Sequence, residues 1–88
     1  MAVNQTKKNT TTVFGINNAF FVLGSERYNI LNIAIQKNGR AQKDASLMKA
    51  IYPFSGQIHY YEKRDFSEKY RKERTQGIVV TFTGEIIS

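Results

Sequence analysis

The residues of this chain that could do chemistry are mostly basic side chains placed beside amides and glycines. Lys37 and Arg40 flank the dipeptide Asn38-Gly39, and Lys43 follows three residues after Arg40. A glycine in such a turn lets a backbone come close to a phosphate group, and the neighbouring cations attract that group. The pattern therefore predicts a phosphate-binding turn. Its candidate contact residues are Lys37, Asn38, Arg40 and Lys43.

A second basic group covers residues 63–74, but acidic residues dilute its charge. Six lysines and arginines lie in it, and four carboxylates lie within it or beside it, which leaves a net charge of +2. Mixed runs of this kind are usually solvated helix faces. Lys63 and Arg64 are its candidate phosphate contacts. The first group has no acidic residue before Asp44, so we expect it to attract phosphate more strongly per residue.

Reactive groups for catalysis are scarce in this sequence. His59 is the only histidine and there is no cysteine, which excludes a histidine pair, a cysteine–histidine nucleophile and a thiolate-bound metal. The six glycines are isolated from one another, so there is no phosphate-cradling loop of the dinucleotide-binding or Walker type. We expect no catalytic residue, no cofactor-binding residue and no metal site in this chain.

Net charge and hydropathy indicate the class of partner. The net charge of +6 favours a nucleic acid, because phosphate contacts release counterions whatever the base sequence. No segment approaches the roughly 18 apolar residues that a membrane helix needs. Residues 1–12 contain Lys7 and Lys8 but no apolar signal region. We expect a flexible polar tail at residues 1–12, a cytoplasmic location and no membrane partner.

Amides and aromatic rings are the other groups that read unpaired RNA. Asn17 and Asn18 stand at the start of an apolar segment and could present amides to RNA, although simple helix capping is the alternative. Tyr28, Tyr52 and Tyr61 could stack on bases. Tyrosines of this kind are more often half-buried packing residues whose hydroxyl stays in water.

The apolar pattern of the first half predicts one helix and one strand. Ile16, Ala19, Phe20 and Leu23 have the spacing of a helical face, which predicts a helix over 16–23 that ends at Gly24 and buries Phe20. Residues 28–36 form a nearly continuous apolar, β-branched run. Such a run is typical of a central strand covered on both faces.

The second half continues the alternation of helices and strands. A helix over 40–51 should end before Pro53, and a short strand should follow over 57–61. Asp65-Phe66-Ser67-Glu68 has capping-box spacing, which predicts a third helix that starts there and runs through Lys72. A last strand is expected over 78–82. The alternation predicts the α/β class with a small mixed or parallel sheet.

Two short motifs carry a resemblance to a known family. Phe14-Gly15-Ile16-Asn17 and Gln76-Gly77-Ile78-Val79, with the elements between them, resemble the N-terminal substrate-binding domain of the TrmH/SpoU family of RNA 2′-O-ribose methyltransferases. Phe14 stands where the family has tyrosine, and Thr75 stands where it usually has histidine. The resemblance adds Gln76 to the candidate RNA-binding residues, beside Asn17 and Asn18.

The resemblance implies a fold, and it implies that RNA binding and catalysis belong to separate domains. The fold is a small three-layer α/β/α sandwich with a mixed sheet of about four strands, similar to kink-turn-binding ribosomal proteins. Residues 13–84 would be the RNA substrate-binding domain, and residues 85–88 would begin a linker to a catalytic domain of the same parent chain. That domain, absent from this chain, would bind S-adenosylmethionine and perform the methyl transfer. The substrate would be ribosomal RNA, or else transfer RNA.

Two other interpretations stay open at this point. A stand-alone kink-turn RNA-binding protein would share the fold and the basic residues. A protein-interaction module would use the same basic faces to bind an acidic partner. Salt-dependent binding of RNA without affinity for acidic proteins would separate the RNA-binding hypotheses from the last one.

Overall fold

A computed structural model describes residues 10–71 and 73–84 of the chain. Strands and helices alternate along it, and a 3-10 helix (Tyr52–Gln57) leads into the third strand. The elements are β1 (Thr10–Phe14), α1 (Ile16–Leu23), β2 (Tyr28–Gln36), α2 (Ala45–Ile51), β3 (Ile58–Tyr61), α3 (Lys63–Lys69) and β4 (Ile78–Gly84).

The four strands form one mixed sheet in the order β1-β4-β2-β3. The last strand of the chain, β4, is antiparallel to both of its neighbours, whereas β2 and β3 are parallel. Consequently β1, β2 and β3 run in one direction, and β4 runs in the other. The segments that follow β1, β2 and β3 and the segment that precedes β4 therefore meet at one edge of the sheet, called here the carboxyl edge.

The helices cover the two faces of the sheet unequally. On one face, α1 and α2 pack against the main core, and on the other face α3 packs against a smaller cluster. The predicted α/β class, with three layers and a four-stranded mixed sheet, is confirmed. The likeness to kink-turn-binding ribosomal proteins stays a prediction. The buried residues of the main core are Ala19, Val22, Ile30, Ile33, Ile35, Ala41, Leu47, Ile51, Ile78, Val80 and Phe82.

Aromatic rings hold α3 in place. Phe66 is 1% exposed and packs with Ala34 and Val79 of the sheet. Its ring centroid lies 5.0 Å from that of Tyr70. Burial raises the pKa of the Tyr70 hydroxyl, and nearby Tyr61 raises it further. One buried phenylalanine thus anchors the third layer.

The predicted bounds of α1 and β2 are confirmed, but α2 begins later than expected. It starts at Ala45 rather than at Arg40, because Asp44 caps it. The Asp44 carboxylate accepts a hydrogen bond from the N–H of Leu47 at 3.0 Å. Residues 40–43 form turns instead, in which the N–H of Lys43 donates to the carbonyl of Arg40. An acidic residue expected inside the helix is therefore its N-cap.

The capping box expected at Asp65 is wrong, because α3 begins two residues earlier. Glu62 is the N-cap residue, its carbonyl accepts from the N–H of Phe66 at 2.9 Å, and Asp65 lies in the first turn. The helix ends at Lys69 rather than at Lys72. An acidic side chain in the first turn stabilises the helix through its interaction with the helix dipole, without making a cap hydrogen bond.

Three smaller boundaries also differ from the prediction. β3 begins at Ile58, and β4 continues to Gly84. β1 begins at Thr10, so residues 10–12 pair with β4 instead of belonging to a tail. The rest of the predicted tail, with Lys7 and Lys8, and the predicted linker at 85–88 lie outside the described residues.

The expected burial of Phe20 is wrong, because α1 presents a different side to the sheet. Ala19 and Val22 are its buried residues, at 0% and 2% exposure. Phe20 is 37% exposed and Phe21 is 70% exposed. Nearly all residues of α1 after Asn18 are apolar, so periodicity alone does not distinguish these two orientations.

This difference in burial gives a stability prediction. Ile33→Ala should lower the free energy of unfolding by about 2–5 kcal/mol, because Ile33 is fully buried in β2. Phe20→Ala should cost clearly less, because much of the ring already contacts water. Thermal unfolding followed by circular dichroism measures both. An equal loss from the two variants would contradict the described orientation of α1.

Candidate nucleic-acid interface

The two motifs quoted for the resemblance contact each other directly at the carboxyl edge. The N–H of Ile16, at the start of α1, donates to Oε1 of Gln76 at 2.8 Å across 60 residues of sequence. The N–H of Gly15 donates to the carbonyl of Ile78 at 3.2 Å. A Cβ atom on Gly15 would lie only 3.1 Å from the same Gln76 oxygen. Glycine is therefore needed where the turns meet.

The turn before β4 is also packed tightly against the segment after β2. Gly77 has φ +88°, and a Cβ there would lie 3.3 Å from the backbone N of Ala41. The N–H of Ala41 donates to the carbonyl of Gln76 at 3.1 Å. The hydroxyl of Thr75 accepts from the N–H of Gly77 at 3.2 Å. Three chain segments thus lock together at this edge.

Gln76 adopts a backbone conformation that is unusual for a residue with a side chain. Its φ is +53°, in the left-handed region, where non-glycine residues store about 1–3 kcal/mol of strain. The hydrogen bond from Ile16 to its side chain helps to hold it there. The side-chain NH2 group still has two donors that this bond does not use. Gln76 therefore joins the start of α1 to the turn before β4, and its NH2 group can still donate to a ligand.

A cleft of about 470 Å³ opens where these segments meet, and we call it the edge cleft. Two arginine guanidinium groups and three side-chain amides line it, and no carboxylate does. It brings together four of the predicted site residues, Asn17, Asn18, Arg40 and Gln76. The full lining is Phe14, Gly15, Asn17, Asn18, Arg40, Arg74 and Gln76.

The two asparagines of the edge cleft differ in their attachments. Asn18 donates from its amide to the carbonyl of Phe14 at 3.0 Å, so its side chain bonds the backbone at the end of β1. This is a local side-chain-to-backbone bond, and it leaves the amide oxygen as an acceptor. Asn17 is exposed, and its side chain makes no hydrogen bond to another residue within 10–71 and 73–84. Asn17 is the freer of the two amides.

The structure corrects the expectation that the first basic group has no acidic neighbour before Asp44. Lys37 forms an ion pair with Glu62, Nζ to Oε2, at 2.9 Å. The sequence alone does not indicate this pair, because the two residues are brought together only by the parallel pairing of β2 with β3. Both side chains are about half exposed or more, and such surface pairs are worth only about 0–1 kcal/mol. Lys37 is partly neutralised but can still exchange partners.

Lys37 and Asn38 lie beside the edge cleft rather than in it. They line a second hollow of about 320 Å³ together with Gln42 and Tyr60. Asn38 has φ +60°, and its N–H donates to the side-chain carbonyl of Gln42. The predicted turn after β2 is therefore formed. Two of its cations are divided between the two hollows, with Arg40 in the edge cleft and Lys37 in the second hollow.

The remaining predicted contacts lie outside both hollows. Lys63 and Arg64 are exposed in the first turn of α3, at the carboxyl edge beyond β3. Lys43 is exposed in the turn that precedes α2. The structure does not bring these three residues into the linings just described.

Arg74 is the cleft residue that the sequence reasoning missed. The sequence placed it in the diluted second basic group, but it lines the same cleft as Arg40. Within residues 10–71 and 73–84, neither arginine has a carboxylate within 4 Å, and Lys37–Glu62 is the one ion pair of that part. The available signal was its position two residues before Gln76, the first residue of the second motif.

No helix in the part of the chain that the structure describes is long and apolar enough to cross a membrane. No group of three or more histidine, cysteine, aspartate or glutamate side chains converges there to hold a metal. Comparison of the chain with protein-family models, with curated proteins and with solved structures found no match.

The glycine turns give a prediction with an internal control. Gly77→Ala should lower the free energy of unfolding by about 1–2 kcal/mol or more, because alanine is strained at φ +88° and its Cβ would crowd Ala41. Gly56→Ala should change it little, because nothing lies within 4 Å of a Cβ there and its φ is not positive. Urea unfolding measures both. If the two variants are equally stable, the packing of this turn is not as described.

Proposed function

We propose that this chain binds RNA through the edge cleft, as the substrate-recognition domain of an RNA 2′-O-ribose methyltransferase. The observation that carries the proposal is the composition of the cleft. Arg40 and Arg74 line it, neither has a carboxylate within 4 Å in the described part of the chain, and three amides complete its polar lining. A concave site with cations, amides and no acid suits a polyanion with hydrogen-bonding bases.

These side chains match the chemical groups that a nucleotide presents. Guanidinium groups bind phosphate oxygens with paired hydrogen bonds. Asparagine and glutamine amides donate and accept at once, so they can bond the edges of unpaired bases. The net charge of +6 adds a general attraction that steers RNA toward the chain. A small inorganic anion would use the arginines but not the amides.

The methyltransferase part of the proposal depends on the family resemblance. The motifs at Phe14–Asn17 and Gln76–Val79 carry that resemblance, and residues of both line the edge cleft. Ribosomal RNA is the proposed substrate, with transfer RNA the second candidate, in the cytoplasm. S-adenosylmethionine and the transfer step are assigned to a catalytic domain outside these residues. This chain would hold the RNA so that binding energy away from the reacting ribose positions it.

The proposal predicts that the two cleft arginines matter more than other cations. Arg40→Gln with Arg74→Gln should weaken binding of a structured ribosomal RNA fragment about tenfold or more. The slope of log affinity against log salt should shrink by about 1–2, because two phosphate contacts are lost. Fluorescence anisotropy at several salt concentrations measures both quantities.

The matched control removes the same charge elsewhere. Arg27→Gln with Lys49→Gln changes two exposed cations outside the cleft lining. Arg27 lies just before β2, about 30 Å along that strand from its carboxyl end. This double variant should lose little affinity. Equal losses from the two double variants would mean that overall charge, and not the edge cleft, attracts RNA.

A negative charge introduced at Gln76 should lower RNA affinity without lowering the stability of the fold. Gln76→Glu keeps an oxygen that can accept from the N–H of Ile16, so the melting temperature should stay near that of the parent chain. The new carboxylate would pair with the cleft arginines and repel phosphate, so RNA affinity should fall about tenfold. Gln57→Glu, outside the cleft, is the control with the same charge change. Undiminished binding by Gln76→Glu would place the RNA elsewhere.

A further inference from the structure

Phe21 is an unusually exposed apolar ring on the outer side of α1. It is 70% exposed, whereas the buried phenylalanines Phe66 and Phe82 are 1% and 6% exposed. Phenylalanine has no polar atom, so such a ring gains nothing from contact with water. Single exposed apolar residues are common, and the neighbours of Phe21 decide whether this one has a use.

Those neighbours are the asparagines of the edge cleft. Phe21 follows Asn17 by four residues and Asn18 by three, and on a helix these spacings place Cβ atoms about 5–6 Å apart on one side. The start of α1 is fixed by the bond from Ile16 to Gln76. The phenyl ring is therefore one helical turn away from Asn17, which lines the edge cleft. The hydrogen bond to Gln76, another residue of the cleft, holds the start of the same helix.

We propose that Phe21 stacks on an unpaired base of an RNA whose phosphate lies in the edge cleft. This inference rests on the proposed RNA-binding function and adds the class of substrate. An unpaired nucleotide presents a phosphate, a base edge and a base face. Arg40 and Arg74 take the phosphate, the Asn17 amide bonds the base edge, and Phe21 covers the base face. A duplex hides its base faces, so the preferred substrate is a loop or a bulge.

The exposed apolar area of Phe20 and Phe21 is small compared with what a second copy of the chain would bury. A stable protein interface buries roughly 800 Å² on each partner. A whole aromatic side chain buries at most about 150–250 Å², and Phe20 beside Phe21 is already more than half covered. One base, which is a flat ring of similar size, fits such a platform.

The experiment uses a ribosomal RNA hairpin with 2-aminopurine in its loop and a fully paired duplex of the same length. The chain should bind the hairpin more tightly, and stacking on Phe21 should quench the 2-aminopurine fluorescence. Phe21→Leu should weaken hairpin binding about fivefold to a hundredfold and remove the quenching, without changing duplex binding. The salt dependence of hairpin binding by Phe21→Leu should match that of the parent chain, because no phosphate contact is lost. Phe21→Trp should keep both binding and quenching.

The control is Tyr52→Leu, which removes a ring that is 78% exposed on the 3-10 helix, outside the edge cleft. It should change neither affinity nor fluorescence. If Phe21→Leu also changes nothing while the cleft arginine variant loses RNA, the stacking inference is overturned and the proposed function stands. If the chain binds neither RNA in a salt-dependent way, both fail. Concentration-dependent dimerisation that Phe21→Leu abolishes would assign the ring to a second copy and overturn the inference.

Discussion

The structure depends on the contact between the glycine turn after β1 and the glycine turn before β4. The bond from the N–H of Ile16 to Gln76 joins the first helix to the last strand, and Gly15 and Gly77 allow the close approach. β4 lies between β1 and β2, so this contact fixes the strand that completes the sheet. The same contact creates the edge cleft, because it gathers the ends of three strands around one opening. Fold and site therefore share residues at this edge.

The sequence predicted the elements whose patterns are local. β2 was placed correctly because its apolar run has few alternatives, and α1 was bounded by two glycines. The start of α2 was missed, because the segment after β2 is held in turns by a bond from Ala41 to the distant Gln76. The orientation of Phe20 was missed for a related reason. Where every residue after Asn18 is apolar, the side of α1 that faces the sheet is decided by packing and not by periodicity.

The candidate site was only partly predictable. Asn17 and Asn18 were found because they stand at the start of an apolar segment, Gln76 because it belongs to the second motif, and Arg40 because it follows a glycine turn. Arg74 was not selected, because the acidic residues beside it in the sequence hid the fact that no carboxylate of the described residues lies within 4 Å of its guanidinium group. The pairing of Lys37 with Glu62 was invisible for the opposite reason, because it needs the parallel registration of two strands. The sequence shows the net charge of a segment. Contacts between distant segments decide which of its charged side chains remain unpaired and can bind a ligand.

The central claim is that RNA binds at the carboxyl edge, and a nuclear magnetic resonance titration of the labelled chain tests it most directly. On addition of a ribosomal RNA hairpin, the account predicts the largest shifts at the side-chain amides of Asn17, Asn18 and Gln76 and at the backbone of Arg40. Signals of Arg27, at the other end of β2, should stay in place. Shifts concentrated away from the carboxyl edge, or no shifts at saturating RNA, would contradict the account.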